Sequence, residues 1–321
     1  MRPSAALFCA AAAQVIVARA ASARSPAAAV IGVLNLTSDL PYSALDYFSV
    51  TVPVPPGVAE LQISHARTSA ANSTNILDWG LADASGTVLG WGGGNTEAAI
   101  IGVHATSRSY LLPPSVDGAT LTAGNWSVIV GKPRIAVPPE GYSINVTFLD
   151  APTLAPQPER RPYARAPPLD VPAAALAMYA GDFHVHSAQS GDALTSATPD
   201  AIAAFARAAG LDFVHLSDHN TVAVATFLGD AQSRFPAGPL LLPGVEFTTY
   251  HGHSGALFTS QFTDFRVGAG GVTMQSAADA IHAQGGLVSI NHFNDYLPGP
   301  DLRNDCVGCT WAFGLSLPAA R

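Results

Sequence analysis

A chain of 321 residues, 48% hydrophobic and only 12% charged, has enough apolar sequence for a sizeable core and enough length for two domains, which excludes a disordered protein. The formal net charge is −8 and Lys132 is the single lysine among 15 basic residues, so no basic surface is on offer to track phosphates. Nucleic acid is not an expected partner.

The first 23 residues read as a signal peptide. Met1 and Arg2 precede an apolar run from Ala5 to Ala18, and small residues follow with Ala-x-Ala cleavage options after Ala20 or Ala23. The run of about 14 residues is shorter than the roughly 20 needed to cross a bilayer, and no later stretch qualifies as a membrane span. The expected mature protein is therefore exported: secreted, or periplasmic in a bacterium.

From Ala27 to Asp150, short β-rich runs are broken by Gly, Pro, Asn and Asp: Tyr47 to Pro53, Ala59 to Ser64, Ile76 to Ala82, Trp126 to Val130 and Tyr142 to Leu149. Such spacing without a long helical period predicts an all-β sandwich or jelly roll over residues 27–150. The WGGGN segment, Trp91 to Asn95, lacks the Lys-Ser/Thr of a phosphate loop and reads as a flexible turn. N-x-S/T sequons at Asn35, Asn72, Asn125 and Asn145 use four of the six Asn in this region, and none follows Asp150. They read either as glycosylation acceptors of a eukaryotic secretory route or as a by-product of a Ser/Thr-rich bacterial β domain.

Residues 151–172 hold seven prolines with Arg160, Arg161 and Arg165, which predicts an extended linker. From residue 173 the pattern alternates: strand 182–187, helix 199–209, strand 212–217, a helix near 221–230, strands 240–247 and 254–258, helix 275–284 and strand 287–291. Alternation of this kind predicts parallel βα units of an α/β barrel, with the active site at the C-terminal ends of the strands.

Chemistry concentrates there. Eight of the ten histidines lie between His184 and His292. His184 and His186 stand two apart in GDFHVHSAQSGDA, so both side chains leave one face of a strand. Asp218 and His219, Glu246, His251 and His253, and His292 follow in successive short apolar runs. Imidazoles suit Zn, Mn or Fe(II), and a carboxylate such as Glu246 can bridge two ions, so the pattern predicts a divalent-metal site. His215 reads as core packing, His282 as a structural residue of a helix, and His65 and His104 carry no signal. A G-x-S-x-G elbow and an S-x-x-K motif are both absent, and the single lysine lies outside the barrel, which disfavours serine and Schiff-base chemistry.

These motifs resemble the polymerase and histidinol phosphatase (PHP) family of metal-dependent hydrolases, and specifically its carbaryl-hydrolase-like branch (CehA/McbA). The resemblance runs from about Ala27 to the end, because the branch also has an N-terminal β domain with segments similar to Trp126–Gly131 (WSVIVG) and Val137–Gly141 (VPPEG). It implies a (β/α)7-like distorted barrel over residues 173–321. It also implies that His184, His186, His219, Glu246, His253 and His292 bind two or three divalent ions that activate water, with Asp192 where many relatives have a third-site ligand. Asp218 is implied to be the catalytic carboxylate that orients, or takes protons from, a ligand or water. The implied substrate is a small-molecule ester: a phosphoester, or a carbamate or carboxylic ester.

Family members finish with a further Asp-x-His pair, whereas this chain reaches Arg321 without one, so the barrel is expected to be incomplete at its C-terminal end. Metal occupancy is then expected to be best at the position built from Glu246, His253 and His292. Cys306 and Cys309 are spaced as C-x-x-C, compatible with zinc, a local disulfide or free thiols; the resemblance favours a disulfide staple in a loop. The competing expectation is a non-catalytic secreted binding protein whose β-sandwich holds a glycan or a protein partner.

Overall fold

The computed structural model describes residues 27–41, 43, 45–69, 73–158, 160–165, 178–293 and 307–313. The expected signal peptide, residues 166–172 of the linker, Asn72 and Cys306 lie outside the described residues.

Eight strands precede residue 150: β1 (Val30–Asp39), β2 (Tyr47–Val54), β3 (Glu60–Arg67), β4 (Ile76–Ala82), β5 (Val88–Gly93), β6 (Ala99–Gly102), β7 (Gly124–Arg134) and β8 (Gly141–Leu149). They form two antiparallel four-stranded sheets, in orders β1-β8-β3-β6 and β2-β7-β4-β5. Period-two alternation explains their stacking. Val50, Val52 and Val54 of β2 and Trp126, Val128 and Val130 of β7 turn one face inward. There they meet Leu61, Ile144, Val146 and Phe148 from the other sheet, each such burial contributing about 1.5 to 3 kcal/mol. This is the expected sandwich, with β1, β5 and β6 added to the predicted strands. The WGGGN segment differs from expectation: Trp91 to Gly93 belong to β5, because Trp91 is buried against apolar neighbours. The described sequon residues Asn35, Asn125 and Asn145 are exposed.

The intervening residues of β7 face outward from the sandwich. Ile129 enters a second core with Tyr47 and Trp91, completed by Val245 and Phe247 from a third sheet and by Phe265 and Ile281 from the segment that follows its fourth strand. That sheet has the order β13-β12-β11-β10-β9 and curls as a half-barrel, built from β9 (Gly181–Val185), β10 (Phe213–His219), β11 (Leu240–Thr249), β12 (Gly252–Leu257) and β13 (Leu287–Ile290). Strands β9, β10 and β11 are parallel, as expected. The crossovers carry α1 (Pro199–Ala208), capped by Thr198 with Pro199 at its first position, and α2 (Leu228–Arg234) after a 3-10 turn at Ala223–Thr226.

The parallel pattern stops at β12, which runs antiparallel to β11. Only Tyr250 and His251 separate those strands, and two residues can close a hairpin but cannot make a crossover. Helix α3 (Met274–Ala283), with a Thr273/Ser276 capping box, leads to β13, antiparallel to β12. Among the described residues the sheet does not close into a barrel.

The proline-rich stretch is docked along the body. Gln157 N donates to His104 O (3.0 Å), Arg161 N to Asp230 Oδ2 (2.7 Å), and the Arg160 guanidinium lies 3.8 Å over the Phe227 ring. No helix of the described residues is long and apolar enough to cross a membrane.

Candidate metal centre

Sheet register assembles the site. His219 ends β10 as the parallel register partner of Glu246 on β11. The hairpin returns the chain so that His253 pairs with Thr248, placing it at the start of β12 and not at a C-terminal strand end as predicted. His184 and His186 lie at the end of β9, and His292 follows β13 with φ +23°, a conformation uncommon outside glycine. Asn220 takes φ +50°, which suits Asn, and its amide clamps the two central strand ends: Thr248 N donates to Oδ1 and Nδ2 donates to Thr248 O, both at 2.8 Å.

Glu246 is the centre of the arrangement. It is 1% exposed, and its two oxygens face different imidazoles. Oε2 lies 3.1 Å from His184 Nε2, 2.9 Å from His186 Nε2 and 3.2 Å from His219 Nδ1. Oε1 lies 2.9 Å from His292 Nε2 and 3.3 Å from His253 Nδ1. Two ligand triplets result, His186-His219-Glu246 and His184-Glu246-His292, with the carboxylate common to both. A carboxylate bridging two subsites has this form.

Outer contacts set which nitrogen of each ring faces inward. His186 Nδ1 lies 3.0 Å from Asp192 Oδ2, so its N–H is directed there and Nε2 is left for the cluster, 3.3 Å from His184 Nε2. His253 Nε2 meets Val307 O at 3.3 Å and His292 Nδ1 meets Cys309 O at 3.4 Å. The loop around Cys309 thus turns His253 Nδ1 and His292 Nε2 toward Glu246, the part that outer partners play for metal-binding imidazoles.

The electrostatics favour a cation. Burial would raise the Glu246 and Asp192 carboxyls, but Glu246 is held far below the usual range by His184, His186, His253 and His292, and Asp192 by His186, His219 and Ser190. Burial disfavours a charged His186, yet contacts with Asp192 and Glu246 outweigh it and hold the ring up at about 10. Burial lowers His253, so that imidazole is neutral and able to donate a lone pair at neutral pH. No Lys or Arg among the described residues pairs with Glu246 or Asp192, and the buried His253 Nδ1 makes no hydrogen bond. Five imidazoles around one ionised carboxylate, with one ring nitrogen orphaned, fit a divalent ion. Cys309 lies beside His253 and His292 but is disulfide-bonded, so in that state it offers no thiolate.

The other predicted residues fall around this centre. Asp192 contacts His186 and, at 3.5 Å, His219, on the side of His186 away from Glu246. Asp218 is fully buried, with Ser187 donating to it from both its backbone N–H and its hydroxyl; burial pushes it up to about 6 despite those bonds. It therefore holds the turn that carries His186. His215 is also fully buried, its Nδ1 on Phe183 O (3.1 Å) and its Nε2 accepting from Phe258 N (3.2 Å). His251 is exposed and pairs with Asp46 (2.9 Å), away from Glu246, and His282 is exposed on α3.

Several contributors carry no motif. Asn291 Nδ2 donates to Glu246 Oε1 at 3.2 Å, and the Thr248 hydroxyl, which donates to Glu246 O at 3.0 Å, lies within hydrogen-bond distance of His219 Nδ1. Arg108, from the sandwich side, donates to the carbonyls of Ala193 (2.8 Å), Gly191 (3.2 Å) and Ser190 (3.3 Å), fixing the loop that bears Asp192. A cleft of about 500 Å³ opens from Asp192, His219 and His253 toward the sandwich. Only a tertiary structure could have brought these groups to notice, since each is an ordinary polar residue in its local sequence. Comparison with protein-family models and with curated proteins returns no match.

Proposed function

We propose that the chain is a metal-dependent hydrolase of small-molecule esters, of the PHP-like kind its motifs resemble. The observation that carries the reading is Glu246, with three imidazoles on one carboxylate oxygen and two on the other, of which His219 and His253 line a cleft. His186, His219 and Glu246 would hold one ion, and His184, Glu246 and His292 a second, with zinc, manganese and iron(II) all suited to the donors. When bound, such ions supply Lewis acidity and lower the pKa of water toward neutrality.

The chain's own groups do the rest. Glu246 and Asp192 stay ionised through the neutral range, and His253 stays neutral. Asp218 fixes Ser187 and with it the orientation of His186, a positioning task. The cleft takes the substrate, whose scissile bond is a phosphoester, carbamate or carboxylic ester. The expected leader peptide and the exposed sequons support an exported protein.

Hydrolysis of 4-nitrophenyl phosphate and 1-naphthyl carbamate by the metal-supplemented chain tests the reading. His184→Ala and Glu246→Ala are expected to lower kcat/KM by about a hundredfold or more, and His251→Ala to leave it unchanged. Equal activity in all four proteins would refute it.

A further inference from the structure

The sandwich side of the cleft presents an acid with no Lys or Arg partner among the described residues. Asp78 on β4, Trp91 on β5 and Tyr250 line the same cavity as Asp192, His219 and His253. Asp78 Oδ2 accepts from the Tyr250 hydroxyl at 2.9 Å. Its Oδ1 faces Gly94, where an added Cβ would stand 3.4 Å away, so the bare glycine leaves that oxygen open to the cavity. No Lys or Arg among the described residues lies within ion-pair distance of Asp78; Lys132, on the adjacent strand, points to Ser43 O at 3.0 Å. Burial raises Asp78 to about 6, against the Tyr250 hydrogen bond and the charge of His219, which leaves it ionised at neutral pH. A partly buried carboxylate beside aromatic rings, with no Lys or Arg paired to it, matches an organic ammonium group.

We propose that this side of the cleft is a subsite for a primary ammonium group on the substrate, with Asp78 as its counter-ion and Trp91 and Tyr250 as its walls. As a specificity element it rests on the hydrolase reading, but it uses different residues from the cluster. The substrate class becomes an amine-bearing ester, held by its cationic end on the sandwich while its ester lies beside the histidines.

Calorimetric titration of the full chain with phenethylamine and with its neutral counterpart 2-phenylethanol tests the subsite without any hydrolysis. The amine is expected to bind about tenfold more tightly than the alcohol, and Asp78→Asn, which keeps an acceptor for Tyr250, to remove that preference. Gly94→Ala, placing a methyl group before Oδ1, is expected to weaken the amine alone, which keeps the test available should Asp78→Asn misfold. Equal affinity for the two probes in the unsubstituted chain, no binding of either at millimolar concentration, or a preference that survives both substitutions would overturn the proposal. Amine preference in a chain that hydrolyses no ester would refute the hydrolase reading and leave the subsite standing; hydrolysis without amine preference would do the reverse.

Discussion

The hydroxyl of Tyr250 occupies the space that a side chain at residue 131 would need: a Cβ built on Gly131 would stand 2.0 Å from it. Gly131 lies on β7 of the sandwich and Tyr250 in the β11–β12 hairpin, so glycine at this position lets the hairpin seat against the sandwich. Tyr250 also stacks on Tyr47, ring centroids 5.0 Å apart.

Gly131→Ala is therefore expected to cost about 1 to 3 kcal/mol by overpacking. Tyr250→Phe, which removes the clashing oxygen, should restore part of the loss when combined with it. Denaturant unfolding of the two single variants and the double variant would show the coupling; strictly additive effects would mean that the two residues do not meet.

Asp192 approaches the cluster through the outer nitrogen of His186, so Asp192→Asn is expected to weaken metal affinity by about ten- to a hundredfold without abolishing binding. Competition against a fluorescent chelator measures this. Unchanged affinity would remove Asp192 from the centre altogether.

Much of this was legible in the sequence, and the reason lies in periodicity. His184 and His186 fall on one strand face because side chains repeat every two residues, and the predicted limits of β4 and α1 agree with the observed ones to within a residue. Strand direction was less legible. The run at 254–258 looks like any buried strand, and only the two-residue connection Tyr250-His251 makes it antiparallel. The contacts of Arg108 with the Asp192 loop, and of Asp78 with Tyr250, join residues 82 or more apart in sequence, a separation at which local pattern carries no information. The proline-rich stretch predicts an extended chain, but its composition does not reveal that its described part docks against Phe227 and Asp230.

His215 sets an acid limit on stability. Burial lowers it from 6.5 to about 4, so the native state keeps it neutral while the unfolded chain takes up a proton below about 6.5. The unfolded state binds more protons in that window, so stability is complete above pH 6.5 and falls as the pH drops toward 4, by about 3 kcal/mol from this group. Urea unfolding of the metal-free chain between pH 4 and 7.5, compared with His215→Gln, checks this. The variant should show a shallower fall, and an identical slope would contradict the assignment.

The central claim is that one buried carboxylate gathers the imidazoles into a metal centre, and elemental analysis of the purified full chain after equilibration with zinc, manganese or iron(II) tests it most directly. The account predicts bound metal in the unsubstituted chain that a strong chelator removes, together with its ester hydrolysis, and almost none in Glu246→Ala, because both ligand triplets use that residue. A chain that takes up no metal from any of the three ions, or a Glu246→Ala variant that keeps the same metal content, would contradict it.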